Sequence, residues 1–399
     1  MSNQAGFSKE RLGRMHQVMA GYVEQGEIPG LVTLVWRNGE CQVDAIGNTE
    51  FSGNETMKRD TLFRIASMTK PIVAAAAMIL VEECVLRLDE SVERFLPELA
   101  DRRVLRQIDG PLDDTVPAKR SITLRDLLTF RLGFGAVIAP PGSFPIQKAI
   151  EAAGLAPGPN PPILAPDEWM SRLSSLPLVH QPGESWMYHT GSDILGVLLS
   201  RASGMTLEKF LKERLFTPLG MKDTGFSVPE QKRNRLSTSY MVKPETGELV
   251  VHDGSTDSRW ANPAFESGGG GLVSTVDDYL VFCLMLLGKG SYGSTRVLSR
   301  STVELMTSDQ LTQKQKEQAH IFFEDHSGWG LGMGVNIRRN SLWSTPGRFG
   351  WDGGVGTSGY TDPAENMVGI LMTQRMMQSP EPPRVFSDFW TTAYQALSN

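Results

Sequence analysis

The stretch "TLFRIASMTKPIVAAAAMILVEE", from Thr61 to Glu83, decides how this chain folds. Its second half, from Pro71 onward, is apolar on every side, which is typical of a helix buried between other elements. Pro71 is tolerated there because the first turn of a helix does not need the N–H that proline lacks. The pattern therefore predicts a fully buried helix that begins close to Ser67 and Lys70.

Ser67 and Lys70 lie three residues apart at the start of this helix, so their side chains share one face and can touch. Burial removes water from an ammonium group, which lowers its pKa and makes it a proton acceptor for a neighbouring hydroxyl. Ser67 would then be an activated nucleophile. The alternative is that so short a motif arises by chance and Lys70 extends its amine to solvent. The motif alone leaves both interpretations open.

Composition and charge limit the classes of function. The chain has 399 residues, of which 40% are hydrophobic and 21% are charged, as in ordinary globular proteins of two or three domains. Its net charge of −6, without a basic run, argues against a nucleic-acid partner. Cys41, Cys84 and Cys283 are too far apart to suggest a disulfide framework or a zinc site. No motif predicts a metal or cofactor, and we expect neither.

The N-terminal segment has no apolar signal region, and the most apolar run, residues 72–81, is too short to span a bilayer. We therefore expect a cytoplasmic protein with no membrane partner.

Helix and strand signals are arranged so that strands occur mainly at the two ends of the chain. An amphipathic helix is predicted around residues 8–25, and Asn38-Gly39 joins two strand-like runs in a hairpin. Strand signals return in the last third, before a final helix. The order predicts one sheet assembled from both ends, flanked by the terminal helices, with a helical domain inserted between them. The predicted bounds are residues 1–75 and 320–399 for the sheet domain and residues 76–319 for the mainly helical one.

A long segment rich in Pro and Gly, residues 133–169, interrupts the helical part. Loops of this length are uncommon unless they shape a binding site or are mobile. The segment is interpreted either as a pocket wall or as a rigid surface excursion.

The stretch "QPGESWMYHTGSDILG" places Tyr188 just before a helix that is expected to run from about Ser192. A tyrosine there could carry a proton between Ser67 and a leaving group if Lys70 held its pKa down. The alternative is a tyrosine that packs its ring in the core. For His189, beside it, an orienting role in the loop is favoured over a direct catalytic one.

The stretch "FGWDGGVGTSGYTDP", residues 349–363, contains Gly353 and Gly354 within a strand-like run. Glycines in a strand let a ligand approach the backbone closely. A backbone N–H from this strand, with that of Ser67, would form an oxyanion hole. A bulge or bend is the alternative explanation.

Other catalytic patterns are absent from the sequence. No G-x-S-x-G motif occurs, which argues against an α/β-hydrolase. Residues 268–271 are four consecutive glycines without the Lys-Ser/Thr of a phosphate-binding loop, so we interpret them as closely packed backbone.

Together, these residues resemble the three-motif pattern of the serine β-lactamase and penicillin-binding-protein superfamily. Within it, the chain is most similar to the class C β-lactamase-like group that includes the family VIII carboxylesterases. The matching positions are Ser67-x-x-Lys70, Tyr188-x-Thr190 and Trp351-Asp352-Gly353. The resemblance implies a β-lactamase-like α+β fold, in which an antiparallel sheet and a helical domain enclose the active site at their interface.

The resemblance also implies roles for individual residues. Ser67 would be the nucleophile, Lys70 and Tyr188 the coupled base and acid, and the N–H groups of Ser67 and Gly354 the oxyanion hole. Thr190, Trp351, Asp352 and Gly353 would bind substrate.

Two of these positions depart from the β-lactamases. Thr190 replaces their asparagine, and Trp351-Asp352-Gly353 replaces their Lys-Thr-Gly. Losing the lysine removes a cation that favours substrates with a carboxylate, and an ionised Asp352 would repel them. Arg348 or Arg375 could restore a cation. We therefore expect a small, neutral ester as the substrate.

Alternatives that use the same nucleophile are a β-lactamase, a D-amino-acid peptidase or amidase, and an acyltransferase. A non-catalytic binding protein is the third class of function, although all three proton-transfer positions carry competent residues.

Overall fold

A computed structural model describes residues 6–398 of the chain. Within this range the strands are β1 Gly30–Arg37, β2 Glu40–Gly47, β3 Phe63–Arg64, β4 Arg103–Leu105, β5 Thr115–Pro117, β6 Ser239–Val242, β7 Leu249–Asp253, β8 Val273–Ser274, β9 Ser291–Tyr292, β10 Thr295–Arg296, β11 Ser327–Trp329, β12 Gly334–Asn336, β13 Phe349–Gly353, β14 Thr357–Asp362 and β15 Met367–Thr373.

The helices of the same range are α1 Lys9–Glu24, α2 Thr69–Glu82, α3 Leu124–Leu128, α4 Pro145–Ala152, α5 Pro166–Ser175, α6 Thr190–Ser203, α7 Leu207–Leu211, α8 Thr217–Leu219, α9 Val276–Leu287, α10 Arg300–Met306, α11 Gln313–Gln318 and α12 Arg384–Gln395. A short 3₁₀ turn, Ala66–Met68, directly precedes α2. None of the helices in the described range has the length and apolar composition needed to cross a membrane.

The main sheet is antiparallel throughout, with the strand order β11-β12-β13-β14-β15-β1-β2. Its strands come from residues 30–47 and 327–373, the two ends of the chain. Asn38 and Gly39 both have positive φ, of 49° and 91°, as the tight turn between β1 and β2 requires. The predicted fold class is thus confirmed: an antiparallel sheet assembled from both ends of the chain, with helices between them.

The terminal helices cover one face of the sheet. α1 begins after Ser8, whose side chain caps the helix by accepting a hydrogen bond from the Arg11 N–H. Apolar residues of α1, α12, β1 and β15 form one buried cluster, which includes Met19, Leu31, Leu371 and Phe389. Burial of this face attaches both ends of the chain to the same sheet.

The opposite face of the sheet packs against the helical part through α2 and α9. From Thr69 to Leu80 every residue of α2 is buried, as its all-round apolar pattern predicts. The 3₁₀ turn before α2 lies against β13, where a Cβ on Gly353 would collide with the Ile65 carbonyl oxygen. The sheet and the helical part therefore meet at Ser67.

The middle of the chain contains more strand than expected. Short pairs form between β3 and β8, β4 and β5, β6 and β7, and β9 and β10. β3 pairs with β8 across about half of the chain, which fixes the segment just before Ser67.

Candidate active site

Ser67 lies in the 3₁₀ turn at the head of α2, and Leu272 holds this turn from both sides. The Ile65 N–H donates to the Leu272 carbonyl at 3.0 Å, and the Leu272 N–H donates to Thr69 Oγ1 at 3.2 Å. Ala66 has a φ of 40°, in a region that residues other than glycine rarely adopt. Strain of this kind is maintained at functional sites by the surrounding packing. The turn holds the half-buried Ser67 beside Lys70.

Lys70 is fully buried, with no exposed surface. Its Nζ donates to Ser67 Oγ at 2.9 Å and to the Gly269 carbonyl oxygen at 2.5 Å, and lies 3.2 Å from His189 Nδ1. Burial lowers the Lys70 pKa from 10.5 to about 7, although the charge of Asp193 acts in the opposite direction. A large fraction of Lys70 is therefore neutral near pH 7 and can accept the Ser67 proton.

Tyr188 also contacts Ser67, to which its hydroxyl is hydrogen-bonded. Its ring is centred 4.6 Å from Lys70 Nζ, and its hydroxyl accepts a hydrogen bond of 2.6 Å from Trp351 Nε1. Burial raises the Tyr188 pKa, although the hydrogen bonds from Ser67 and Trp351 oppose this. The expectation that Lys70 lowers this pKa is therefore not met. Tyr188 stays protonated near neutral pH, which suits it to donate a proton rather than to accept one.

Trp351 faces this cluster from β13. Its indole lies edge-on to Trp329, with ring centroids 4.7 Å apart. Room for the ring comes from Gly334 on the neighbouring strand, where a Cβ would lie 2.8 Å from the Trp351 ring. An aromatic N–H donor thus contacts Tyr188 at the position where the β-lactamases carry a lysine.

Asp352 points to the opposite face of the sheet, because neighbouring residues of a strand alternate between faces. Its carboxylate accepts hydrogen bonds from Ser358 at 2.6 Å and Tyr360 at 3.2 Å, on the side covered by α12. Trp390 of α12 donates to the same Ser358 hydroxyl. The structure does not bring Asp352 to the Ser67 cluster, in contrast to the expectation from the sequence.

The two arginines considered as replacement cations also point elsewhere. The Arg348 guanidinium stacks between the Tyr360 and Trp390 rings, at 3.9 and 4.1 Å from their centroids. Arg375 lies 3.5 Å from the Glu27 carboxylate. Neither restores the positive charge that Trp351 replaces.

Gly353 ends β13, and Gly354 follows it, beside the turn that carries Ser67. A side chain on Gly353 would collide with the Ile65 carbonyl oxygen and with Thr357. At Gly354, by contrast, a Cβ would meet no atom of residues 6–398 within 4 Å, apart from Gly354 itself and its two neighbours in the chain. Open space therefore adjoins the Gly354 backbone, as an oxyanion hole shared with the Ser67 N–H would require.

Thr190 begins α6, two residues earlier than the expected start of this helix. It is only 1% exposed, so it offers almost no surface to a substrate. The side chain that contacts the Lys70 amine on this side is His189, one position before Thr190. The structure thus places His189 against Lys70, and Thr190 is buried.

Three polar groups of this site had not been singled out from the sequence: Asp193, Ser267 and the Gly269 backbone. Asp193 Oδ1 accepts hydrogen bonds from Ser267 Oγ at 2.6 Å and the Gly269 N–H at 2.9 Å. Asp193 Oδ2 lies 3.2 Å from His189 Nε2. The spacing of His189 and Asp193, four residues apart where a helix begins, was the available signal.

Aromatic rings line the side of the site next to Tyr188. Trp186 stacks on Tyr188 with ring centroids 5.5 Å apart, and the half-buried Phe322 lies 5.1 Å from the Tyr188 centroid. The long segment 133–169 also begins here, since the Ala136 N–H donates to the Tyr188 carbonyl. Further along this segment, Asn160 Oδ1 lies 2.8 Å from His252 Nε2. An apolar wall and a tethered loop thus adjoin Tyr188.

Comparison with known proteins identifies a matching family and several similar proteins. Residues 15–385 match the family described as Beta-lactamase. The protein named Rv1367c of Mycobacterium tuberculosis is 38% identical over 359 residues, which cover 88% of this chain and 87% of that protein. Esterase EstB of Burkholderia gladioli is 29% identical, covering 90% of this chain and 89% of its own.

A solved structure described as EstCE1, a hydrolase with promiscuous acyltransferase activity, superimposes with a TM-score of 0.81. It covers 97% of this chain and 99% of its own at 24% identity, so the likeness concerns the fold.

Proposed function

Because the chain belongs to the β-lactamase family and is a serine hydrolase of that family, we propose that it hydrolyses small, neutral carboxylic esters through an acyl-enzyme on Ser67. The observation that carries this proposal is the 2.9 Å contact between Ser67 Oγ and a fully buried Lys70 amine. A buried amine with a pKa of about 7 is a competent general base at neutral pH.

In the first step of the proposed reaction, Ser67 Oγ attacks the ester carbonyl carbon and its proton passes to Lys70 Nζ. The carbonyl π electrons move onto the oxygen, which the N–H groups of Ser67 and Gly354 would face. Removal of one oxyanion donor costs about 10²- to 10³-fold in rate in other serine enzymes.

The ester C–O bond then breaks, and the leaving alkoxide takes the Tyr188 proton. The acyl-enzyme then holds an ammonium at Lys70 and a tyrosinate at Tyr188. Water next attacks the acyl carbonyl carbon and gives a proton to the Tyr188 oxygen. When the bond to Ser67 Oγ breaks, that oxygen takes back the proton from Lys70, which releases the carboxylic acid and regenerates Ser67.

The charges around Ser67, Lys70 and Tyr188 favour neutral substrates. Trp351 occupies the place of a cation, and both Arg348 and Arg375 are engaged elsewhere. A substrate carboxylate would therefore lose its hydration without gaining an ion pair. The relative EstB is named an esterase, which supports the same substrate class.

The test compares hydrolysis of p-nitrophenyl butyrate and nitrocefin by the wild type and by Ser67→Ala. We expect faster turnover of the ester and its reduction to background in Ser67→Ala. Trp351→Lys is the matched variant, since it restores the missing cation and should shift the preference toward nitrocefin, which bears a carboxylate. Faster turnover of nitrocefin by the wild type would contradict the proposal and favour a β-lactamase.

Acyl transfer would use the same acyl-enzyme, with an alcohol replacing water. In the ester assay with added 1-butanol, we expect butyric acid as the main product. Butyl butyrate as the main product would instead favour an acyltransferase.

A further inference from the structure

The Lys70 amine has two fixed hydrogen-bond acceptors besides Ser67. The Gly269 carbonyl oxygen lies 2.5 Å from Nζ, and His189 Nδ1 lies 3.2 Å from it. Gly269 belongs to the closely packed glycine segment, and a Cβ at this residue would come within 2.8 Å of His189 Nε2. Neither acceptor has space to move away from Nζ without disturbing its neighbours.

A neutral amine has two N–H bonds and one lone pair. If the two N–H bonds point at Gly269 and His189, the lone pair is left to point at the third neighbour, the Ser67 hydroxyl. After the Ser67 proton has been accepted, the third N–H of the ammonium points back toward Ser67 Oγ. Two acceptors behind the amine therefore determine the direction in which it acts as a base.

His189 can accept at Nδ1 only if its own proton is on Nε2, since a neutral imidazole has one donor and one acceptor nitrogen. Asp193 Oδ2, 3.2 Å from Nε2, favours that arrangement. Burial, reinforced by the nearby Lys70, lowers the His189 pKa, so the ring stays neutral. Hydrogen bonds from Ser267 and from the Gly269 N–H hold the Asp193 carboxylate in turn.

The backbone also keeps His189 in place. Its φ of 81° and ψ of −65° lie in a region that is costly for a residue with a side chain. The residue is 7% exposed and sits between Tyr188 and α6. The surrounding structure must therefore stabilise this strained backbone, and in doing so it holds the His189 imidazole against Lys70.

We propose that His189 and Asp193 are positioning residues that orient the lone pair of Lys70 toward Ser67. His189 accepts one N–H of the amine, and Asp193 fixes the tautomer that allows it to accept. The inference rests on the proposed function, because it assumes that Lys70 activates Ser67, and it adds two residues to which the three-motif resemblance gives no role.

The test uses Asp193→Asn, His189→Asn and His189→Leu. In Asp193→Asn, the amide oxygen can keep the hydrogen bonds from Ser267 and Gly269, so the NH₂ group faces His189 Nε2. The imidazole must then move its proton to Nδ1, which faces the Lys70 amine as a second donor. His189→Asn keeps an acceptor, because Asn Oδ1 can take the place of Nδ1, whereas His189→Leu has none.

The readout is the rate at which a fluorophosphonate labels Ser67, followed by intact-mass spectrometry between pH 5.5 and 9.5. It measures activation of Ser67 without depending on the ester. The titratable groups around Lys70 are Tyr188, His189 and Asp193, and Asp352 acts on Tyr188 from β13. Asp126→Asn serves as the matched control, since Asp126 is also a buried carboxylate, but it pairs with Arg120 and belongs to the capping box of α3.

We expect the fluorophosphonate to label Ser67 at least about tenfold more slowly in Asp193→Asn and in His189→Leu than in the wild type, measured where the labelling rate reaches its high-pH plateau. His189→Asn should recover most of the rate. In Asp193→Asn, the fall of the labelling rate on the acid side of the pH profile (the acid limb) should also move to lower pH, because the carboxylate that raises the Lys70 pKa has been removed. Asp126→Asn should leave both the plateau and the acid limb unchanged.

The inference is overturned if His189→Leu and Asp193→Asn label as fast as the wild type, or if His189→Asn is as slow as His189→Leu. Wild-type labelling without ester hydrolysis would contradict the proposed substrate and leave the positioning role standing. A wild type that is labelled no faster than Ser67→Ala would contradict both.

Discussion

Two buried cations lie six residues apart in the sequence, and their surroundings differ. Arg64 is 3% exposed, and its Nε donates to the Asp253 carboxylate at 2.7 Å. Its other nitrogens bond the same carboxylate, Ser258 and two backbone carbonyls. Lys70 is equally buried, but the groups that contact its Nζ directly are a hydroxyl, a carbonyl and a neutral imidazole.

The difference shows that Arg64 stabilises the fold, whereas Lys70 can take part in proton transfer. Arg64 gains a direct ion pair that offsets much of its desolvation, and a guanidinium cannot give up its proton in a protein. Within residues 6–398, no carboxylate contacts the Lys70 amine, because His189 stands between it and Asp193. Its charged form is therefore destabilised, so a large fraction of the amine is neutral near pH 7 and can act as a base.

The largest expected effect is loss of catalysis when the Lys70 amine is removed. Lys70→Met should lower kcat/KM for p-nitrophenyl butyrate by about 10²- to 10⁴-fold, the usual contribution of a general base. Lys70→Arg should lose as much, because its guanidinium keeps the charge but cannot accept a proton. If Lys70→Arg retains more than about a tenth of the wild-type rate, Lys70 acts through its charge and not as a base.

Breaking the Arg64 pair should affect stability. Asp253→Ala leaves a buried guanidinium without its partner, and the free energy of unfolding should fall by about 3–5 kcal/mol. Urea denaturation measures this free energy of unfolding. The matched control is Asp277→Ala in the exposed Arg59–Asp277 pair, where we expect a loss below about 1 kcal/mol. Equal losses in the two variants would show that burial does not distinguish these pairs.

The lowered Lys70 pKa should also make stability depend on pH. Between pH 7 and 9 the unfolded chain keeps the Lys70 proton, since the ordinary pKa is 10.5, whereas the folded protein loses it. Folded stability attributable to this group therefore rises with pH, by about 2 kcal/mol over that interval. The measurement is the difference in unfolding free energy between the wild type and Lys70→Met at pH 7 and at pH 9. No change in this difference would contradict a lowered pKa.

The smallest effects are expected on β13, where adjacent residues face different environments. Trp351→Phe removes the N–H that Tyr188 accepts, and kcat/KM for the ester should fall by about two- to tenfold, the value of one hydrogen bond. Asp352→Asn, on the far face, should change kcat/KM by less than about twofold. A greater loss in Asp352→Asn would place its carboxylate in the reaction after all.

Much of the fold could be predicted because the relevant signals are local. The Asn38-Gly39 turn and the amphipathic pattern of α1 each depend on a short stretch of chain. The β3–β8 pair could not be predicted, since two-residue strands have no periodicity and these lie about 210 residues apart.

In the active site, too, contacts between residues close in sequence could be predicted, whereas contacts made by tertiary packing could not. The S-x-x-K spacing was sufficient to bring Ser67 and Lys70 together, because it acts within one helical turn. Asp352 was misplaced because alternation along a strand says that Trp351 and Asp352 face opposite sides, but not which side is the site. The Gly269 carbonyl reaches Lys70 only through tertiary packing, and no side-chain pattern signals a backbone acceptor.

The most direct test of the account is a titration of Lys70 itself. In protein labelled at lysine ¹³Cε, the resonance absent from Lys70→Met identifies this residue, and its chemical shift can be followed from pH 5 to 11. If Lys70 is the base, its midpoint should lie near pH 7, well below that of exposed lysines. A midpoint above about 9 would mean that Lys70 stays charged when folded, and would contradict its role as the base that activates Ser67.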